Sequence, residues 1–229
     1  METTFSKFSN TGRNYIAFFD LDGTISSSNS GKTLFWHAYN QGLTTKMDLI
    51  NGIYLSLLYR LNLKDPAKII DKMVSWLNGL SEDKLDELST DIFDNSISKS
   101  IYPGVYPEII FHKKNGASVV ILSSAILPVC QKVADYLQLD DILCSEPEVK
   151  NGYLTGRSKG PLCFGEEKKS RLTYYCEKNN TKTEDAWYYG DSISDLAALS
   201  AAGNPVCVNP DKKLKKEAEK RGWRVLLWQ

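Results

Sequence analysis

Six side chains in this sequence are spaced for work on an anion. Asp20 and Asp22 stand two apart where an apolar run, residues 15–19, meets Gly23 and Thr24. A short buried strand that ends in two acids is costly unless something cationic meets them there. Three later segments carry groups suited to that meeting. The apolar run 119–122 ends in Ser123, with Ser124 next to it. Lys168 opens a helical pattern just after Gly165. The run 187–189 leads into Gly190 and Asp191, and Asp195 follows four residues on. A carboxylate can attack phosphorus and split one slow hydrolysis into two easier steps. A lysine and a divalent cation would then offset the repulsion between that carboxylate and a phosphate dianion. Taken singly, each part has a plainer reading. Asp-Gly after a strand signals a turn, Ser123 caps a strand end, and Asp191 or Ser192 caps a helix. The four parts together predict an enzyme.

The elements that must position these groups can be read from hydrophobic periodicity. Residues 14–19 read as a strand, apolar on both faces as in a covered parallel sheet. After Thr24 a serine-rich loop, 26–30, leads into four helical patterns at 33–39, 47–61, 65–77 and 81–93. The third opens on Asp65-Pro66, a good cap followed by proline at the first helical position. Helix and strand then alternate. Helices are predicted at 105–114, 128–137, 168–178, 195–202 and 212–221. Strands are predicted at 117–122, 142–144, 186–189, 205–208 and 223–228. A hairpin is predicted at 148–155 around Asn151-Gly152, a pair suited to a type I′ turn. This alternation predicts an α/β fold, a three-layer Rossmann-like parallel sheet with right-handed crossovers. Ligands in such sheets bind outside the carboxyl ends of the strands, where all four motifs fall.

Composition narrows the function further. The 229 residues carry 28 basic and 28 acidic side chains, for a formal net charge of zero. A nucleic-acid binder would show a basic excess, so no nucleic-acid partner is expected. Lys212, Lys213, Lys215, Lys216, Lys220 and Arg221 form a basic helix, but Glu217 and Glu219 interrupt it, which suits a solvated face. The five cysteines form no C-x-x-C pair and suit a reducing compartment. No apolar run is long enough to span a bilayer, and the start of the chain is polar, so a cytoplasmic protein without integral membrane contact is expected. His37 and His112 stand alone and read as surface or core-edge residues.

The ordered set Asp20-Leu21-Asp22-Gly23-Thr24, Ser123, Lys168 and Gly190-Asp191 with Asp195 resembles the haloacid dehalogenase superfamily of hydrolases. The segment 148–172 looks most like its phosphoserine-phosphatase-like branch. The resemblance implies a core domain of residues 1–26 and 101–229, with an inserted all-helical type 1 cap of residues 27–100. It also implies roles. Asp20 would be the nucleophile and a metal ligand. Asp22 would protonate the leaving oxygen, then activate water, and lend its carbonyl to the metal. Ser123 would bind the phosphoryl oxygens, with Ser124 able to take its place. Lys168 would stabilise charge on phosphate and nucleophile. Asp191 and Asp195 would complete a Mg2+ site, Asp195 holding either the metal's waters or Lys168.

Such a cap closes over the site and favours small phosphorylated metabolites. In phosphoserine phosphatases an acid nine positions after the nucleophile meets the substrate amine; here that position is Asn29. An amide cannot pair with an ammonium in the same way, so phosphoserine, histidinol phosphate and phosphorylated alcohols stay open as substrates. Arg60 is a candidate anion contact from the cap. Three other readings share these residues. A phosphotransferase would pass the same aspartyl-phosphate to another acceptor. A dehalogenase would not need Asp22. A signalling phospho-acceptor would lack the helical insert.

Overall fold

The structure, a computed structural model, describes residues 15–48, 50 and 74–229. Six parallel strands form one sheet in the order β3-β2-β1-β6-β7-β8. They are β1 (Ile16–Phe19), β2 (Ser118–Ile126), β3 (Asp141–Ser145), β6 (Trp187–Gly190), β7 (Asn204–Val208) and β8 (Arg224–Leu226). The strand β1 lies at the centre and all four of its residues are buried. It pairs with β2 on one side and β6 on the other. Successive strands run outward from β1 toward β3, then restart on the opposite side with β6. The strand order therefore reverses beside β1, which opens a crevice at the carboxyl ends of β1, β2 and β6.

The main helices are α1 (Ser30–Asn40), α2 (Glu82–Ile92), α3 (Val105–Lys114), α4 (Leu127–Leu137), α5 (Glu166–Lys178), α6 (Leu196–Ala201) and α7 (Lys212–Arg221). The two faces of β1 feed two separate apolar clusters. Ala17 and Phe19 belong to one, Ile16 and Phe18 to the other. This is the alternation that a strand imposes, with both sides buried. Phe19 stacks on Tyr189 with ring centroids 4.1 Å apart. That contact locks the last residue before Asp20 to the residue two before Asp191.

Between β1 and β2 the chain leaves the sheet for a helical insert, of which α1 and α2 are described. The predicted patterns at 47–61 and 65–77 lie outside the described residues except near their ends, and Arg60 lies outside them altogether. In α1 the N-cap is Asn29, whose side chain accepts from Lys32 N. In α2 it is Ser81, with Glu82 and Asp83 placed in the first turn to meet the helix dipole. His37 joins α1 to Asp91 of α2 at 3.1 Å. The predicted hairpin forms as β4 (Pro147–Lys150) and β5 (Tyr153–Ser158). Its turn holds Asn151 and Gly152 at φ of 53° and 79°. The hairpin also reaches the insert: Leu154 N donates to Leu80 O, and Gly79 N donates to Leu154 O, both at 2.8 Å. The insert is thus tied to the core at a point away from its own two connections.

Two expectations need correction. The strand carrying Ser123 does not stop there. It runs on to Ile126, with its pairing to β3 shifted between Leu122 and Ile126. Ser123 and Ser124 therefore sit where the pairing breaks register inside the strand, an irregularity that re-aims side chains near a site. His112 is neither isolated nor at the edge. It is fully buried, with Nδ1 3.0 Å from Tyr15 Oη and Nε2 2.8 Å from Tyr189 Oη. Tyr189 donates to Glu108 at 2.6 Å, and Arg224 meets the other oxygen of Glu108 at 3.0 Å. Because Tyr189 spends its proton on Glu108, His112 Nε2 must donate and Nδ1 must accept from Tyr15. Burial pushes the His112 pKa down to about 3, so the ring is a neutral structural bridge.

A candidate active site at the carboxyl ends of β1, β2 and β6

Asp20 follows β1 directly, and its amide donates to Tyr189 O at 2.9 Å. That bond carries the β1–β6 pairing one residue into the site. Lys168 sits in the first turn of α5, behind Gly165, and its side chain is buried. Its ammonium is 3.0 Å from Asp20 Oδ1 and 2.6 Å from Asp195 Oδ1. A third partner is Tyr188 Oη, at 3.2 Å, which in turn donates to Asp195 Oδ1 at 2.8 Å. The ammonium thus donates to Asp195 and Tyr188 and stands in ion-pair contact with Asp20. Burial alone would lower the Lys168 pKa, but Asp195 and Asp20 outweigh it and hold the group well above its usual value. The charge is fixed in place, since a buried ammonium without these partners would cost several kcal/mol.

Asp195 has both oxygens engaged. Oδ1 serves Lys168 and Tyr188, while Oδ2 accepts from Ser192 N and Ser192 Oγ at 3.2 Å each. Asp191 lies across from Asp20 and packs over Gly23. A Cβ built on Gly23 would stand 2.3 Å from Asp191 Oδ2, and the residue has φ of +83°. Glycine is required at that turn on both counts. One oxygen from each of Asp20, Asp191 and Asp195 falls within 4.8 Å of the others. Asp20 Oδ1 is buried and accepts no well-formed hydrogen bond from the described residues. A cluster of carboxylate oxygens with one buried oxygen left over fits a hard divalent cation, which takes oxygen ligands. Ser123 is fully buried on β2, its Oγ accepting from Ala125 N at 3.3 Å, whereas Ser124 is half-buried.

Asp22 stands apart from this cluster. Its carboxylate accepts from Ser30 N on Oδ1 and from Ser30 Oγ on Oδ2, both at 2.9 Å. Asn29 is exposed, with its side-chain oxygen engaged by Lys32 N at 2.8 Å. Three further residues were not singled out from the sequence. Tyr188 reads there as one more core aromatic. Ser30 reads as part of a polar loop. Asp211 is the N-cap of α7, accepting from Lys213 N and Leu214 N. It also braces the site: its amide donates to Asp191 O at 2.8 Å and its Oδ2 accepts from Ile193 N at 3.0 Å. Sequence holds no signal for that second role, which depends on β7 bringing the two loops together.

The acids are kept protonated more readily than free carboxylates. Burial raises Asp22 to about 7 and Asp191 to about 9, with the Asp20 charge adding to both. Burial also raises Asp20, against the pull of Lys168. A carboxyl group that holds its proton more tightly when folded stabilises the fold at low pH and loses that contribution as pH rises through the folded value. The metal-free protein is therefore expected to lose on the order of 3 kcal/mol of stability between about pH 6 and pH 8.5. Added divalent cation should restore most of it at the higher pH and little at the lower. Urea unfolding at both values, with and without the cation, checks this. A metal-free stability independent of pH across that range would contradict it.

Residues 17–200 match the haloacid dehalogenase-like hydrolase family. The chain belongs to that family. Its relatives include a probable phosphatase of Mycobacterium tuberculosis, 29% identical over 92% of this chain and 74% of that protein. A phosphoserine phosphatase of the same organism is 26% identical, over 91% of this chain and 69% of that one. A histidinol-phosphatase of Neisseria meningitidis is 27% identical, over 92% and 97%. Among solved structures, a protein of unknown function from Bordetella pertussis superposes with a TM-score of 0.83 at 22% identity, over 93% of this chain and 98% of that one. The sheet order and the helical insert are thus the fold of this hydrolase family. Among the described residues no helix is long and apolar enough to cross a membrane.

Proposed function

We propose that this hydrolase is a Mg2+-dependent phosphatase of a small phosphate monoester, acting through an aspartyl-phosphate on Asp20. The observation that carries the reading is the buried Lys168 ammonium held between Asp20 and Asp195 at the carboxyl ends of the central strands. A fixed positive charge 3.0 Å from the attacking carboxylate lets a phosphate dianion approach it. Asp20 attacks phosphorus as the ester P–O bond breaks, and Asp22 gives its proton to the leaving oxygen. Asp22 then takes a proton from water, which attacks the same phosphorus. Inorganic phosphate leaves and Asp20 is a carboxylate again. The Ser123 hydroxyl is suited to a phosphoryl oxygen, with Ser124 beside it. Asp20, Asp191 and the Asp22 carbonyl would hold Mg2+, which neutralises charge on the phosphoryl group when bound. Asp195, with both oxygens engaged, would serve chiefly to orient Lys168.

Residues 1–26 and 101–229 would form the core and 27–100 the cap that excludes water and contacts the substrate. A cap of that size suits a metabolite better than a folded phosphoprotein. Asn29 spends its side-chain oxygen on the α1 N-terminus. It offers no charge to a substrate amine, so phosphoserine need not be the preferred ester. All five cysteines are free and buried, in keeping with a reducing cytoplasm. On α7 only Leu214 and Ala218 are buried, so its basic side chains face solvent.

Phosphate release from a panel including phosphoserine, histidinol phosphate and simple alkyl phosphates tests the reading. Release is expected to need Mg2+ and to fall by about a hundredfold or more in chelator. Undiminished release in chelator, or no release from any ester, would overturn it.

A further inference from the structure

Ser30 opens α1, the first helix of the insert, and is only 2% exposed. It gives both of its hydrogen-bond donors, amide and hydroxyl, to the two oxygens of one carboxylate, Asp22. An amide and a hydroxyl of one residue meeting both oxygens define the carboxyl plane, where a single bond would leave it free to rotate. Each oxygen keeps a second lone pair, so the group can still carry a proton, but only in a fixed direction. The clamp comes from the insert and the carboxylate from the core. The connections between them are themselves bound together: Ser27 N donates to Ser100 O at 2.9 Å, and the hydroxyls of Ser26 and Ser28 each lie 2.7 Å from that of Ser100. Leu34 and Ala38 seat α1 in the larger apolar cluster.

The geometry points to Ser30 as a positioning residue for Asp22, through which the seated insert sets the direction of proton transfer to the leaving oxygen. This rests on the reading of Asp22 as general acid and then base. Ser30 touches no reacting atom; it acts by aiming a carboxyl that does. Docking of α1 and alignment of the acid are then one event, so an insert not seated on the core leaves Asp22 unaimed.

The leaving group separates this role from a structural one. An alkyl phosphate expels a poor leaving group and needs the proton, whereas 4-nitrophenyl phosphate expels a stable phenolate and does not. For Ser30→Ala, turnover of an alkyl phosphate should fall by about tenfold or more, the loss of one bond to a charged group. The first burst of nitrophenolate should keep its rate within about threefold. Later turnover of that ester should slow, because Asp22 must still activate water. Ser30→Thr, which keeps the hydroxyl, should restore the alkyl-ester rate relative to the burst. The ratio of the two esters within one variant does not depend on how much of it is folded. An equal loss in the nitrophenolate burst and in alkyl-ester turnover, or no loss in either, would overturn the assignment. Asp22→Asn is run alongside. If it spares the alkyl ester, the reading of Asp22 as acid fails and the Ser30 assignment falls with it; a loss in Asp22→Asn with none in Ser30→Ala overturns the Ser30 assignment alone.

Discussion

Asp20→Asn is expected to lower phosphate release by at least about ten thousandfold while leaving the fold intact. The amide is isosteric with the carboxylate but cannot attack phosphorus. The structural consequence should run the other way. Asp20 is buried beside Asp195, whose charge repels its own, and burial already favours its neutral form. Lys168 keeps Asp195 at 2.6 Å and Tyr188 at 3.2 Å after the change. The metal-free variant should therefore be as stable as the wild type or more so at neutral pH. Urea unfolding beside a phosphate-release assay shows both effects. Residual release within a hundredfold of wild type would assign the chemistry elsewhere.

Lys168→Met should fail on both counts. Methionine fills a similar volume but leaves Asp20 and Asp195 buried without their cation. Removing one partner of a buried ion pair costs about 3–5 kcal/mol, and here two acids lose the same partner. Part of this will be recovered as the acids take up protons, so the deficit should shrink as pH falls from about 8 toward 5. Activity should drop by at least about a thousandfold, since charge stabilisation of this kind is worth several kcal/mol in the transition state. Urea midpoints at several pH values check the first part. A variant as stable as wild type at pH 8 would mean that the acids do not depend on Lys168.

Asp20, Asp22, Lys168 and Asp191 were legible in the sequence because each stands close to an element boundary. An apolar strand must end, and what stands at its end faces the crevice. Ser123 was legible by type but not by setting, because the break in register that aims it arises from pairing with β3, which local pattern does not record. Tyr188 was hidden for the opposite reason. A tyrosine inside an aromatic strand looks like core, and only the approach of α5 gives its hydroxyl a charged partner. Ser30 was hidden because serines crowd the stretch from 26 to 30, and nothing local says which of them turns back to Asp22. His112 looked isolated because its partners, Tyr15 and Tyr189, lie 97 and 77 residues away. In each case what was missed is a contact between distant segments, while what was read depends on periodicity, chain breaks and the resemblance of the ordered motifs to a known superfamily.

The claim on which all this turns is that Asp20 carries the phosphoryl group. Asp22→Asn, which lacks the base for the second step, should hold that group long enough to be seen. The variant is mixed with 4-nitrophenyl phosphate and Mg2+, quenched in acid and digested, and the peptides are weighed. The account predicts phosphate on the peptide containing Asp20, in step with the nitrophenolate released. Nitrophenolate release with that peptide unmodified, or with phosphate on another, would contradict it.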